Sequence, residues 1–179
     1  MSESTLPTPR LGFAAYSGTG KTTLLIRLIP LLVEQGLRLG IIKHSHHDFE
    51  IDNPDKDSYK LHHAGAMQTL LTSKYRSALI QERQPQQEPD LDEEYAKLDH
   101  DRLDLVLVEG FRHVSSLPRI ELNRPSLGRP FLFPGEDNII ALATDEAVDT
   151  DLPLLDINSP QAIADFILDW LKRQTPHSR

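Results

Sequence analysis

The sequence predicts an α/β fold, a mostly parallel sheet flanked by helices, and three features of the chain predict it. Short apolar runs alternate with stretches whose apolar residues recur at helical spacing, the pattern of buried strands joined by crossover helices. The first apolar run, residues 11–16, stops at a glycine-bearing turn that opens straight into a helical pattern at residues 21–35. A last helix is marked by Ser159 as its cap, Pro160 at its first position, and Ile163, Phe166, Ile167, Trp170 and Leu171 along one face.

Between these landmarks each element has its own signal. In residues 21–35, Leu24, Leu25, Leu28, Leu31 and Leu32 make the apolar stripe and Gly36 suits the helix end, while Pro30, which lacks an N–H, is expected to kink the last turns. Residues 39–43 read as a second buried strand. Residues 44–57 are rich in histidine and acid with no period and read as a functional loop. Asp57 or Ser58 is placed to cap a short helix reaching residue 64, and residues 67–72 and 77–81 follow as two strands able to pair. Residues 82–101 are strongly polar and read as a solvated excursion carrying an acidic helix at 91–98. The apolar run 103–108 then ends in Glu109-Gly110, and further strands are expected at 119–122, 139–143 and 154–157.

The 179 residues suit one domain with a real core, expected over 10–174 between a flexible leader at 1–9 and a flexible tail at 175–179. With 39% hydrophobic and 26% charged residues the composition is that of a soluble globular chain. Its 27 acids against 19 bases, a formal charge of -8, argue against a general nucleic-acid binder. The absence of cysteine excludes disulfides and thiolate metal sites. No apolar run has the length of a signal peptide or a membrane span, so no membrane association is expected and the cytoplasm is the expected compartment.

The chemistry concentrates in Ala15-Tyr16-Ser17-Gly18-Thr19-Gly20-Lys21-Thr22, which matches G-x-x-x-x-G-K-[ST] with alanine in place of the first glycine. A triphosphate needs many donors that approach closely without side-chain bulk. Gly18 and Gly20 let successive N–H groups turn inward, and the helix opening at Lys21 offers its positive end to the phosphates. Lys21 is expected to reach the outer phosphates and the Thr22 hydroxyl to ligate Mg²⁺; Ser17, Gly18, Thr19, Gly20, Lys21, Thr22 and Thr23 are the candidate nucleotide-binding residues. The strand-loop-helix context makes this a P-loop and the fold class a P-loop NTPase-like sheet.

Mg²⁺ on phosphates also calls for a carboxylate at a neighbouring strand end, and Glu109 is the leading candidate, with Asp104 peripheral. In the loop 44–57, Asp48 is expected to join the metal shell or orient water, with Lys43 and His44 near phosphate or substrate. Lys21, Asp48 and Glu109 are thus the candidate catalytic set, and Thr22, Asp48 and Glu109 the metal set. A zinc site on His44, His46, His47 and Asp48 is disfavoured, because only the adjacent His62 and His63 could complete it.

At this point the chain resembles the MobB-type molybdopterin-guanine dinucleotide biosynthesis adaptors. The resemblance spans nearly everything after residue 10 and rests on the segments 13–23, Ile42-Lys43-His44-Ser45-His46-His47-Asp48, Lys56-Asp57-Ser58-Tyr59 and Leu107-Val108-Glu109-Gly110-Phe111-Arg112. It implies a GTP-binding protein with weak GTPase activity, using GTP and Mg²⁺. The implied assembly is a homodimer beside the guanylyltransferase that joins GMP to the molybdenum cofactor, with the molybdenum-inserting protein as a further partner. By the same resemblance Gly18, Gly20, Lys21 and Thr22 bind phosphate, and Glu109 and Asp48 serve the metal. No Asn-Lys-x-Asp element is present to select guanine; Asp145, after the strand at 139–143, is the candidate acceptor for the base, with a turn aspartate as the alternative. The arginines of Arg119-Ile120-Glu121-Leu122-Asn123-Arg124-Pro125 are candidates for a pterin phosphate or a partner, against surface arginines on an edge strand. A P-loop phosphotransferase acting on a small metabolite and a nucleotide-driven metal carrier are the competing functions.

Overall fold

The computed structural model describes residues 8–45 and 48–174. His46, His47, the first seven residues of the expected leader and the expected tail lie outside the described residues. The elements in chain order are β1 Arg10–Ala15, α1 Lys21–Glu34, β2 Leu39–Lys43, α2 Asp57–His63, β3 Gln68–Thr72, β4 Ser77–Gln81, α3 Leu91–Tyr95, β5 Leu105–Glu109, β6 Arg119–Leu122, β7 Ile139–Thr144, β8 Leu154–Asp156 and α4 Pro160–Gln174. Within the span expected as one domain they form two compact units, the described residues of Met1–His44 with Leu91–Arg179, and Ser45–Asp90.

In the first unit six strands form one sheet in the order β2-β5-β1-β6-β7-β8, every pairing parallel. The chain places β5 on one flank of β1 and β6 on the other. The carboxyl end of β1 is therefore the topological switch point, where an open α/β sheet leaves a crevice for ligand. Successive residues of β5 face opposite ways, and both faces are covered. Leu105 and Leu107 pack with Leu24, Leu28 and Leu32 of α1 and with Ile163, Ile167 and Trp170 of α4. Val106 and Val108 pack instead with Ile42, Leu91, Phe111 and Leu117. Burial on both faces is why β5 reads as a continuous apolar run.

Helix α1 contains Pro30 and runs to Glu34, and Gly36 closes it as expected at φ 88, with the Gly36 N–H on the Val33 carbonyl and the Leu37 N–H on the Leu32 carbonyl. Other local expectations are corrected. The polar segment is no mere excursion in its second half: Leu91 is buried against the sheet, and the Tyr95 hydroxyl donates to the Thr8 carbonyl. The last two residues of the expected leader are packed, since Thr8 is buried and the Pro9 carbonyl accepts the Val106 N–H at 2.9 Å. Most importantly, β6 is an interior strand, so Arg119 is not a surface arginine on an edge.

The second unit holds α2 and the antiparallel hairpin of β3 and β4, paired with Leu70 opposite Leu79. Neither Asp57 nor Ser58 caps α2; Lys56 takes the cap position and the Ser58 hydroxyl donates to Asp52. His62 is buried with its ring between the Thr69 hydroxyl at 2.9 Å and the Glu82 carboxylate at 2.8 Å. Among the described residues no helix is long and apolar enough to cross a membrane.

Candidate functional site

The turn between β1 and α1 sits at the switch point. Gly18 and Gly20 adopt φ of 85° and 95°, left-handed conformations that residues with a Cβ rarely take, so the backbone curls before the helix begins. Thr19 is buried within the curl, its hydroxyl donating to the Tyr16 carbonyl at 2.9 Å. Gly20 occupies the cap position, no side chain caps α1, and no acid lies in its first turn. The first-turn N–H groups and the positive end of the helix thus face the turn unneutralised. Ser17, Thr22 and Thr23 are exposed beside them.

Glu109, the last residue of β5, stands opposite Phe13 of β1 and Lys43 of β2 in register. One carboxylate oxygen lies 3.4 Å from the Lys21 ammonium and the other 3.4 Å from that of Lys43. Two of the three expected catalytic residues, Lys21 and Glu109, are therefore brought together, with Lys43 as a third charge. Gly110 makes this approach possible: at φ 93° a Cβ there would lie 2.7 Å from that of His44, whose N–H donates to the Glu109 carbonyl at 2.8 Å. The third expected residue, Asp48, belongs to the second unit, where its carboxylate accepts the Phe49 N–H at 2.9 Å. Among the described residues no three His, Asp or Glu side chains gather as a metal site.

Arg124, just past β6, ties the opposite side of the site together. Its guanidinium donates to the Thr19 carbonyl at 3.3 Å, to the Asn158 side chain at 2.9 Å and to the Asp145 carboxylate. Asp145, expected to read the base, is thus linked to the turn between β1 and α1 through one planar fork. Two open clefts meet at Asn158. One, of about 200 Å³, includes Gly18, Gly20, Thr23 and Arg27; the other, of about 410 Å³, includes Thr144, Asp145 and Asp156.

The sequence marks 119–122 as a strand but does not disclose that β6 is interior. Arg119, Glu121 and Asn123 alternate along the strand and all are buried. Arg119 donates to the carbonyls of Phe111 and Val114 at 2.7 and 2.9 Å and pairs with Glu136 at 3.2 Å. Burial lowers its guanidinium from the ordinary arginine value, Glu136 opposes that, and the nearby charge of Arg112 adds to it. Glu121 accepts the N–H groups of Leu132 and Phe133 at 2.8 and 2.9 Å, and Asn123 donates to the Pro130 carbonyl at 3.3 Å. The alternation of polar residues is visible in the sequence, but their carbonyl and N–H partners are not.

Comparison with known proteins bears on the family and the fold. A family model, MobB or molybdopterin guanine dinucleotide synthesis protein B, matches residues 10–145. The chain is 47% identical over 167 residues to the molybdopterin-guanine dinucleotide biosynthesis adapter protein of Escherichia coli (strain K12), covering 93% of this chain and 95% of that protein. It is 41% identical to the protein of the same name from Haemophilus influenzae, covering 91% of this chain and 89% of that one. Among solved structures it resembles molybdopterin-guanine biosynthesis protein B with a TM-score of 0.71 at 30% identity, over 91% of this chain and 99% of that one. A MobB homologue from Bacillus stearothermophilus shares the fold, with a TM-score of 0.65 at 23% identity over 92% of this chain and 98% of that one.

Proposed function

The chain belongs to the MobB family and is an adapter of molybdopterin-guanine dinucleotide biosynthesis; we propose that it works by binding GTP and Mg²⁺ at the turn between β1 and α1. The observation that carries this reading is the Lys21-Glu109-Lys43 cluster beside a curled, uncapped helix start. These residues fit a metal-bound triphosphate. The N–H groups of the turn hold phosphate oxygens, the Thr22 hydroxyl offers a metal ligand, and Glu109 offers a carboxylate to the metal or its water. Because Lys43 remains on Glu109, Lys21 can swing to the phosphates without leaving the carboxylate unpaired. Mg²⁺ supplies charge neutralisation across the phosphate oxygens.

Hydrolysis is proposed to be weak, as the resemblance to the adaptor family implies. Asp48 is proposed on its chemistry alone as a further carboxylate for the metal or for water. Guanine is proposed to be read by Asp145, whose carboxylate has capacity for more hydrogen bonds than the one it accepts from Arg124. The proposed partners are the guanylyltransferase that joins GMP to the molybdenum cofactor and the molybdenum-inserting protein, met in the cytoplasm. A homodimer is proposed through the second unit, where Phe49, Ile51, Leu61, Leu70, Tyr75 and Leu79 are all exposed. So many exposed large apolar residues on a segment this short are what a second copy would cover.

Calorimetric titration of GTP and ATP with Mg²⁺ tests the nucleotide reading. Wild type is expected to prefer GTP, and Lys21→Ala to weaken GTP by about 30- to 100-fold, the loss of a charged phosphate contact. Equal or tighter ATP binding overturns the guanine assignment. Undiminished GTP binding by Lys21→Ala overturns the phosphate loop as the site.

A further inference from the structure

Two guanidinium groups to which the nucleotide reading gives no role converge on Tyr16, in the turn between β1 and α1. Arg112 and Arg129 lie 5.6 and 5.9 Å from the ring centre of Tyr16, the residue that follows β1. Arg112 comes from the loop after β5 and Arg129 from the loop after β6. Both side chains are exposed, and among the described residues neither makes an ion pair or a hydrogen bond. In a chain of formal charge -8, two cations gathered at one ring with no carboxylate on either is a local arrangement, not the overflow of a basic surface. The attraction of a ring face for cations holds each one, but nothing there neutralises their mutual repulsion.

The backbone carrying these arginines is held at a cost. Phe111, immediately before Arg112, has φ 51°, a left-handed conformation that a bulky residue seldom adopts. Arg119 fixes it by donating to the Phe111 and Val114 carbonyls, which bracket Arg112. Asn123 donates to the carbonyl of Pro130, next to Arg129, and Glu121 holds the Leu132 and Phe133 N–H groups just beyond. All three anchors are buried, Arg119 and Glu121 in the interior strand β6 and Asn123 directly after it, and among the described residues Arg119 Nε and Asn123 Oδ1 have no hydrogen-bond partner. Buried polar atoms left unpaired destabilise a fold. What β6 achieves in return is the placement of two loops whose exposed residues are Arg112 and Arg129.

We infer that Arg112, Arg129 and Tyr16 form a second anion site beside the nucleotide loop, and that its ligand is a phosphate group. Planar guanidinium forks match the oxygens of phosphate in pairs, and two of them at one ring suit a dianion better than a lone lysine would. The phosphate has two possible sources, the outermost phosphate of the nucleotide or the phosphate ester of a second molecule. The site does not depend on the nucleotide reading, since none of its three residues contributes to the Lys21-Glu109-Lys43 cluster.

The test separates the two sites by working first in the Lys21→Ala chain, where phosphate binding through that lysine is removed. Inorganic phosphate is titrated at constant ionic strength while the tyrosine ring and arginine Nε–H resonances are followed by NMR. A saturable shift of Tyr16 is expected, weakened at least about tenfold when Arg112→Gln and Arg129→Gln are added. No saturable shift, or one that survives both substitutions, overturns the site. In the chain retaining Lys21, GTP affinity that falls about tenfold in the double variant while GDP affinity holds identifies the nucleotide's own outer phosphate. Unchanged GTP and GDP affinities beside lost phosphate binding identify a separate phosphate ester. A wild-type chain that binds no nucleotide defeats the proposed GTP function, while the phosphate titration still decides the arginine site.

Discussion

Gly110 shows how one residue sets the geometry of the site. It follows Glu109 at the end of β5, and its missing side chain lets that strand end close against His44 at the end of β2. Without that approach the Glu109 carboxylate could not sit between Lys43 of one neighbouring strand and Lys21 at the start of α1. Gly110→Ala combines a left-handed backbone with a Cβ 2.7 Å from that of His44. We expect it to destabilise the fold by about 2 kcal/mol, from conformational strain and displaced packing together. The readout is the midpoint of chemical denaturation, and an unmoved midpoint would show that the strand ends can part freely. The motif Glu109-Gly110 is legible in the sequence as a strand end; that the glycine serves His44 is not, because the two lie 66 positions apart.

At the scale of elements, the entries of β2 and β5 are joined by a clamp of their own. Arg38 donates to Asp104 through its backbone N–H at 2.8 Å and through its guanidinium at 3.0 and 2.8 Å. The hydrogen bond from the Arg38 side chain holds the Asp104 carboxyl below its ordinary value, against an opposing effect of desolvation. A carboxyl depressed in the folded state stabilises above its unfolded pKa, near 3.9, and that stability is lost as pH falls through the lower folded value. Asp104→Asn should therefore lower the melting temperature at pH 7, with the gap to wild type narrowing as the pH falls below the unfolded pKa, near 3.9. A gap that stays constant across this range would mean that the ion pair contributes nothing and only shape was lost. The sequence marks Asp104 as peripheral to the chemistry, and its partner Arg38 agrees with that, but its structural task emerges only when the parallel register sets the two strands side by side.

At the scale of the whole molecule, the two units differ in how they dispose of apolar residues. The first buries them on both faces of its sheet, whereas the second leaves Leu70 and Leu79, cross-strand neighbours of its hairpin, 65% and 58% exposed. A two-stranded hairpin is marginal by itself and gains stability when its face is covered. If a second copy provides that cover, Leu70→Glu with Leu79→Glu should convert a dimer to a monomer in sedimentation equilibrium while GTP affinity is kept. A wild-type chain that sediments as a monomer at micromolar concentration would contradict the proposed assembly.

The sequence by itself determined the α/β class, the approximate position along the chain of each strand, and the glycine-bearing turn that opens α1 at Lys21. These are local signals, since apolar periodicity, a cap and a glycine-bearing turn are each read within about a dozen residues. It also pointed to Glu109 as a carboxylate at a strand end beside that turn, and the structure sets it 3.4 Å from Lys21 and from Lys43. Only the tertiary structure decided that β6 is interior, that its arginine, glutamate and asparagine are buried, and that Arg124 joins Thr19 to Asp145. An alternating polar strand looks alike at an edge and in a core. What distinguishes them is whether carbonyl and N–H groups from distant loops arrive to satisfy the side chains, and that depends on strand order, which no local pattern encodes.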